Sequence, residues 1–218
     1  MVDIWWLGQA CIKVRGKEAS IVFDPYSAQF TGLKPLKLDA NIVCVTHGHE
    51  DHNYVDAVGG VDDETPFVIS GPGEYEKSGV NIVGVSSFHD DKNGAERGRN
   101  TIYLATIDEV NIVHLGDLGQ SKLTQDQIEE LSLCDVVMIP VGGVYTINAK
   151  QAPDIIAVLE PKIVIPIHYK IPGLKFNLEP VDNFLKAMGK EAKPQSKISI
   201  SKDRLPEELE IAVLEVTG

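Results

Sequence analysis

Three of the six histidines in this 218-residue chain fall within one run of six residues, 47–52. The run reads His47, Gly48, His49, Glu50, Asp51 and His52. Imidazole and carboxylate groups are the side chains that bind borderline divalent metals such as zinc. The run directly follows an apolar segment, 41–46, whose composition is typical of a β-strand. Because this density of ligand-type side chains far exceeds what the composition would give in a polar surface loop, we predict a metal site at the end of a strand.

Residues 46–52 closely resemble the signature of the metallo-β-lactamase superfamily. Four other segments are similar to the remaining motifs of that superfamily and follow in its order: an aspartate in 23–25, an isolated histidine in 87–89, a Gly-Asp pair in 114–117 and a distal histidine in 165–169. The resemblance covers nearly the whole chain. Its compact length, together with segments 73–76 and 141–146, resembles a bacterial and archaeal branch of Zn-dependent hydrolases. That branch is more distantly similar to the ascorbate-6-phosphate lactonases.

The resemblance implies both a fold and a set of metal ligands. The implied fold is an α/β, four-layer αββα sandwich that forms a single domain over residues 1–218. The implied cofactors are two divalent metal ions, with Zn as the first choice and Mn or Fe as alternatives. The implied ligands are His47, His49 and His89 for one ion, Asp51, His52 and His168 for the other, and Asp117 as a bridge between the two.

Such a site predicts hydrolysis. Two ions roughly 3.5–4 Å apart can hold and acidify a bridging hydroxide and stabilise the negative charge that develops on the attacked oxygen. We therefore expect a metal-dependent hydrolase whose metal-bridged hydroxide attacks a small anionic ester, lactone or phosphodiester. Asp51 is the expected catalytic residue, because its carboxylate can orient the hydroxide. Two alternatives stay open: a metal-binding or ligand-sensing module without significant turnover, and a nucleic-acid phosphodiesterase.

Three residues near these motifs are predicted not to bind metal. Asp24 is expected to orient a ligating histidine through a hydrogen bond. His114 lies three residues before Asp117, where the family pattern requires no ligand, so we interpret it as a supporting histidine. Redox di-iron members of the superfamily carry a glutamate at the position of His49. Here the carboxylate, Glu50, lies one residue further on, which disfavours reduction of oxygen or nitric oxide.

Five residues are candidates for contacts with a substrate. They lie in the polar stretch after His89, in the stretch after a Gly-Gly pair, and just beyond His168. They are Arg97, Asn100, Tyr145, Thr146 and Lys170. Each carries a group that can bind a phosphate or carboxylate. The alternative for each is an ordinary solvated loop residue.

Charge and composition restrict the partners. The 20 basic and 32 acidic residues give a formal net charge of −12, which repels the backbone of nucleic acids. Bound divalent ions would be a local positive exception in this field, which favours a small anionic substrate over a polymer. No apolar run approaches the roughly 20 residues needed to span a bilayer, so no membrane partner is expected. Three widely separated cysteines predict reduced thiols in a cytoplasmic protein. Homo-oligomers remain open.

The pattern of elements is strands first, then alternating strands and helices. The first 25 residues predict three strands, and strands at 101–107 and 110–115 predict a hairpin around Asp108 and Glu109. Thr124 and Gln127 have the spacing of a capping box at the start of a helix. Further helices are predicted at 148–159 and 181–188, whereas 27–39 and 90–100 are predicted as loops.

Overall fold

The computed structural model describes residues 1–217, and two β-sheets with short helices make up most of it. In chain order, the strands are β1 (Val2–Gly8), β2 (Cys11–Arg15), β3 (Ser20–Phe23), β4 (Leu38–Asp39), β5 (Ile42–Cys44), β6 (Val58–Gly59), β7 (Phe67–Ile69), β8 (Gly73–Lys77), β9 (Val80–Phe88), β10 (Arg99–Ile107), β11 (Val110–His114), β12 (Val136–Pro140), β13 (Ile163–Ile167), β14 (Ile198–Ile200) and β15 (Glu210–Ile211). The helices are α1 (Ala28–Thr31), α2 (Gln125–Glu130), α3 (Ala152–Leu159) and α4 (Val181–Met188). In the described part of the chain, no helix has the length and apolar character needed to cross a bilayer.

The two large sheets pack face to face. One sheet has the strand order β14-β1-β2-β3-β5-β7 and the other has the order β15-β13-β12-β11-β10-β9-β8. Successive side chains of a strand point to opposite faces, so each strand can bury one face against the partner sheet. Ile4 and Trp6 of β1 join Val136 and Met138 of β12 in one buried apolar cluster. The predicted α/β sandwich is confirmed.

The outer face of the six-stranded sheet is covered differently from the outer face of the other sheet. Helix α2 contacts β9, and α3 contacts β12 and α4. On the six-stranded sheet, a second apolar cluster includes Val22 and Val43 and is closed by Leu33 and Leu36. These two leucines follow the four-residue helix α1 in an irregular segment. The fourth layer is therefore mostly loop.

Most predicted elements form as expected. The hairpin of β10 and β11 turns at Asp108 and Glu109, with Ile107 paired to Val110. Helix α2 has a full capping box: Gln127 N donates to Thr124 Oγ1, and Thr124 N donates to Gln127 Oε1. Its predicted start is confirmed.

Several predictions of local structure were incomplete. The segment 27–39, predicted as a loop, contains helix α1 and strand β4. The helix predicted at 148–159 begins only at Ala152, because Asn148 Oδ1 accepts the backbone N–H groups of Lys150 and Gln151 and forms a turn instead. Strand β8 was not predicted. It pairs with β9 across a two-residue turn of Ser78 and Gly79, both at positive φ, which is a typical hairpin connection.

The direction of the strands brings the carboxyl ends of several of them to one edge of the sandwich. Strands β1, β3 and β5 run the same way in one sheet, as do β9, β11 and β13 in the other. The residues that follow these ends include Gln9, Asp24, His47, His89 and His168. Side chains that are far apart in sequence can therefore meet at this edge, as is usual for sites in α/β folds.

Candidate metal centre

The side chains predicted as metal ligands meet at this edge of the sandwich. The predicted ligands form three groups, and within each group the ligand atoms lie within 4.8 Å of one another. The groups are His47, His49 and His89; His47, His52 and Asp117; and Asp51, His52 and His168. The first and third groups share no member. The second group connects them through His47 and His52. The seven predicted ligands thus form two separate sets with Asp117 between them, while binding of the metal itself stays a prediction.

Asp117 occupies the centre of the cluster. Its Oδ1 lies 3.3 Å from His52 Nε2, and its Oδ2 lies 3.3 Å from both His89 Nε2 and His168 Nε2. The carboxylate is buried, with 2% of its residue surface exposed. A carboxylate that faces three imidazoles from both oxygens has the arrangement needed to bridge two ions.

Unpartnered polar atoms supply a test of whether the residues fit metal ions. His52 Nε2 and Asp117 Oδ1 are buried without a hydrogen-bond partner, and so are Nδ1 of His89 and of His168. A buried polar atom without a partner costs free energy, and such atoms are rare in folded proteins. Because imidazole nitrogens and carboxylate oxygens are preferred zinc ligands, an ion between His52 and Asp117 would satisfy His52 Nε2 and Asp117 Oδ1. The donor set therefore fits divalent metal.

The protonation states of the cluster also suit a cation. Burial, followed by the charge of His52, lowers the pKa of His47 to about 3, so this imidazole is neutral near pH 7. Burial raises the pKa of Asp117, but the charges of His168 and His52 outweigh it and hold the pKa well below its usual range. Neutral imidazole and ionised carboxylate are the forms that bind metal.

The pKa of His52 shows how strongly the buried carboxylates act on the imidazoles of the cluster. Burial lowers the pKa of its imidazole, yet the carboxylates of Asp117 and Asp24 outweigh burial and raise the pKa well above its usual value. Without a metal ion, the carboxylates therefore hold a proton on His52. A divalent cation in the same field would take the place of that proton.

Asp24, which we predict to be a supporting carboxylate, contacts His52. Asp24 Oδ2 lies 2.8 Å from His52 Nδ1 and also accepts the Thr46 hydroxyl at 2.8 Å. Asp24 Oδ1 accepts the backbone N–H of Thr46 at 2.8 Å. Thr46 Oγ1 in turn lies 3.0 Å from His47 Nδ1. One buried carboxylate thus fixes the ring of His52 and the strand end that carries His47, leaving His52 Nε2 directed at the cluster.

His114 is held entirely by the backbone. Its Nε2 lies 2.9 Å from the carbonyl oxygen of Ala10, and its Nδ1 accepts the N–H of Gly116 at 3.1 Å. The ring stacks on Phe23 with centroids 4.9 Å apart. Both ring nitrogens are engaged, so His114 has no free atom for a metal ion. It ties the turn before Asp117 to the turn between β1 and β2.

Gln9 is a site residue that the sequence analysis missed. Its side-chain Nε2 donates to Asp51 Oδ2 at 2.9 Å, and its Oε1 is buried without a partner. Its backbone carbonyl accepts both Trp6 Nε1 and the N–H of His168, each at 2.9 Å. The residue has a φ of 53°, in the left-handed region. A polar residue between Gly8 and Ala10 was the available signal, because a turn there ends the first strand.

Asn100 supports the turn of Asp117 rather than facing a substrate. The residue is buried, and its Nδ2 donates to Ser87 Oγ at 2.7 Å and to the Leu115 carbonyl at 3.0 Å. Its Oδ1 accepts the N–H of Asp117 at 3.1 Å. Because both amide protons and the carbonyl are used within the protein, the prediction that Asn100 contacts the substrate does not fit this placement.

The other predicted contact residues lie in two places. Arg97 and Tyr145 are neighbours, with the guanidinium carbon 5.9 Å from the centre of the tyrosine ring. Thr146 is next to Tyr145, and its hydroxyl donates to the carbonyl of Ile147 at 2.9 Å. Lys170 lines a separate, largely apolar cavity of about 840 Å³ that includes none of the seven predicted ligands. Arg97 and Tyr145 are therefore placed together, and Lys170 apart from them.

A second missed residue, Asp90, fixes the loop after His89. Its Oδ1 accepts the N–H groups of Lys92 and Gly94, each at 2.8 Å. Its Oδ2 accepts those of Glu96 at 3.0 Å and of Arg97 at 2.7 Å. The sequence does not show which backbone N–H groups such a carboxylate will bind. An Asp before a glycine-containing polar stretch is, however, typical of turns.

Comparisons with known proteins agree with this geometry. Residues 3–168 match the family model described as beta-lactamase superfamily domain, a span that includes all seven predicted ligands. A metal-dependent hydrolase of Methanoregula boonei is 31% identical over 193 residues, covering 77% of this chain and 82% of the relative. One of Thermococcus onnurineus is 28% identical over 191 residues, covering 78% of this chain and 85% of the relative.

Solved structures give the same result. A crystal structure from Thermotoga maritima, assigned to the Zn-dependent hydrolases of the metallo-β-lactamase superfamily, superposes with a TM-score of 0.80 at 34% identity and covers 100% of both chains. The metallo hydrolase Igni18 of Ignicoccus hospitalis superposes with a TM-score of 0.65 at 18% identity, covering 92% of this chain and 99% of that one. The second likeness concerns the fold alone.

The first prediction concerns metal content. Protein purified without chelator and supplemented with zinc or manganese should carry up to two divalent ions per chain, because two separate ligand sets are assembled around Asp117. Elemental analysis measures this. A folded chain that stays metal-free with all seven ligands intact would refute the assignment.

The second prediction separates His114 from the ligands. Changing His49→Ala or Asp117→Ala should remove metal, because each deletes a ligand. Changing His114→Ala should leave the metal stoichiometry unchanged and weaken metal affinity by at most the ~10–100-fold typical of supporting residues. Elemental analysis with a chelator competition measures both quantities. Complete loss of metal in the His114 variant would show that the two roles are assigned wrongly.

The third prediction uses two glycines that each adjoin a ligand. A Cβ on Gly116, which has a φ of +55°, would lie 2.6 Å from Asn100 Oδ1 and 2.7 Å from Thr46 Cβ, whereas a Cβ on Gly48 would meet nothing within 4 Å. Changing Gly116→Ala should therefore displace Asp117 and weaken zinc affinity by at least ~10-fold, as loss of a supporting contact does. The matched variant Gly48→Ala should keep near-normal affinity. Equal effects in a chelator competition would contradict this role for the Gly116 turn.

Proposed function

Because this chain belongs to the β-lactamase superfamily, among its metal-dependent hydrolases, we propose that it hydrolyses a small anionic ester, lactone or phosphodiester with two divalent metal ions, most simply zinc. The observation that carries this proposal is the position of Asp117. Its two oxygens face histidines of both ligand sets at 3.3 Å. A single bridging carboxylate between two sets supports a site for two ions over a site for one.

The residues divide the binding of the metal between them. His47, His49 and His89 would hold one ion, and Asp51, His52 and His168 would hold the other. Two divalent ions bound there would supply acidified water and offset the negative charge that develops on the attacked oxygen. Seven ligands leave coordination positions free, which is typical of a catalytic site and not of a structural one.

Asp51 has the geometry to orient the attacking water. Its Oδ2 accepts a hydrogen bond from the side-chain amide of Gln9 at 2.9 Å, which holds the carboxylate in place. Burial raises the pKa of Asp51, but the charge of His52 outweighs it and lowers the pKa below its usual range. Asp51 therefore stays ionised, and its role is to position the water by accepting a hydrogen bond. Gln9 in turn positions Asp51.

The charge of the chain supports a small substrate. A formal net charge of −12 disfavours approach of a nucleic-acid backbone. The cluster lies at a strand edge where His49 and Glu50 are exposed, so a small molecule can reach it. We propose a cytoplasmic location for this activity, in keeping with the three buried free thiols, Cys11, Cys44 and Cys134.

The fourth prediction tests hydrolysis. Zinc- or manganese-loaded protein should turn over at least one member of a panel containing a phosphodiester, a lactone and a thioester. Asp117→Asn should lose this activity together with metal, because it removes a bridging charge. Glu129→Ala, on the exposed face of α2, is the matched control and should keep full activity. A single turnover in ¹⁸O-labelled water should place the label in the product.

Two outcomes would oppose the proposal. A fully metal-loaded chain that leaves all three substrate classes intact would favour a metal-binding or ligand-sensing module. A trapped acyl- or phosphoryl-protein would rule out direct attack by water.

A further inference from the structure

Four side chains form a continuous arc at the mouth of the cluster, which we name the aromatic rim: Phe30, Phe176, Tyr145 and Arg97. The rings of Phe30 and Phe176 have centroids 5.5 Å apart at an interplanar angle of 60°. The rings of Phe176 and Tyr145 are 6.4 Å apart at 73°. The guanidinium of Arg97 lies 5.9 Å from the centre of the Tyr145 ring. The residues come from four separate segments, so their contact is a product of the fold.

Each end of the aromatic rim is attached to a segment that carries predicted metal ligands. Helix α1, which carries Phe30, is preceded by Ser27, whose N–H donates to the Glu50 carbonyl at 2.9 Å, between His49 and Asp51. At the other end, Arg97 lies in the loop that starts after His89.

The middle of the rim is attached in the same way. The N–H of Gly142, three residues before Tyr145, donates to the carbonyl of His168 at 3.0 Å. The segment of Phe176 is bonded across to helix α1, because the N–H of Lys175 donates to the Thr31 carbonyl at 2.9 Å. The segments of the aromatic rim are therefore tied by backbone hydrogen bonds to the segments that carry His49 and His168, and His49 is exposed.

The rim is open to solvent and held in place. Phe30 and Tyr145 are each 40% exposed, so part of both rings is accessible to a ligand. Val144 precedes Tyr145 with a φ of 63°, a left-handed conformation that is costly for a β-branched residue. Strain of this kind concentrates at ligand sites, where the backbone must present a particular side chain. Here it presents Tyr145.

The cation of the rim is also fixed in position. The backbone of Arg97 is bound to Asp90 at 2.7 Å. The carboxylate of Glu96 lies 3.9 Å from the Arg97 guanidinium and is paired more closely with Lys92. The carboxylates of Glu96 and Asp90 thus lie in the same loop as the two cations, and Arg97 supplies the guanidinium of the rim.

We infer that the aromatic rim is a substrate subsite for a planar, apolar ring group that carries or adjoins a negative charge. The ring would pack edge-to-face against Phe176 and Tyr145, the anionic group would pair with Arg97, and the bond to be cleaved would extend toward the metal cluster. Aromatic pairs prefer such tilted packing, and guanidinium groups bind carboxylate and phosphate in a fixed geometry. The inference rests on the proposed function and names its substrate class: aryl-substituted small anions.

Binding of two phosphonates tests the rim without requiring turnover. Zinc-loaded protein should bind phenylphosphonate about 10-fold more tightly than methylphosphonate by calorimetry, as expected from one buried ring with aromatic contacts. Phe176→Leu and Tyr145→Leu should reduce this ratio to ~3-fold or less. Tyr145→Phe should preserve the ratio because it keeps the ring. Arg97→Gln should weaken both phosphonates and leave their ratio unchanged.

A matched control comes from Phe67, which is 41% exposed on the edge strand β7. Phe67→Leu should change neither affinity. The inference is overturned if the wild-type protein binds both phosphonates equally or binds neither, or if the preference survives in both leucine variants of the rim.

Hydrolysis measured on the same preparations separates this inference from the proposed function. An aryl preference that depends on the rim, in a protein without turnover, would leave the subsite standing and refute the hydrolase. Turnover without any aryl preference would refute the subsite and support the hydrolase.

Discussion

The need to balance buried charge governs this structure. Asp24, Asp51 and Asp117 are buried carboxylates that lie among buried imidazoles. Isolated ionised groups in a protein interior cost several kcal/mol each, so such a cluster is tolerable only if its members are paired or bind a cation. The hydrogen bond that Asp24 Oδ2 accepts from His52 Nδ1 satisfies part of this need. The unpartnered oxygen of Asp117 and nitrogen of His52 leave the rest to a metal ion.

A cluster of this kind requires a rigid frame, and the frame is built from backbone contacts. His114 and Asn100 bind the turn before Asp117 through carbonyl and N–H groups, and Gln9 binds both Asp51 and the backbone of His168. None of these three has a free polar group in reach of bulk solvent, since all are buried. Supporting contacts fix the orientation of metal ligands and raise their basicity. The site therefore depends on residues that bind neither metal nor substrate.

The side chains of the rim differ in chemistry from those of the interior of the site. The interior concentrates negative charge and neutral imidazole, which suits divalent cations. The rim offers aromatic surface and the guanidinium of Arg97, which suits an anion with an apolar ring. Between the two, a substrate would have its charge held at the mouth and its reacting bond near the cluster.

The sequence by itself determined the ligand types, their order and the strand that delivers them, because the density of histidines at 47–52 and the apolar segment before it are local features. It also determined the hairpin at Asp108 and the capping box at Thr124, since turns and caps are set by neighbouring residues. Only the tertiary structure decided that Gln9 contacts Asp51 and that Asn100 supports Asp117.

These contacts, and the arc formed by the aromatic rim, join residues whose positions in sequence are unrelated. Phe30 and Phe176 meet only because helix α1 is bonded to the loop that carries Phe176. No local propensity encodes such a meeting. It depends on the direction and register of strands in two packed sheets, which the whole core sets together.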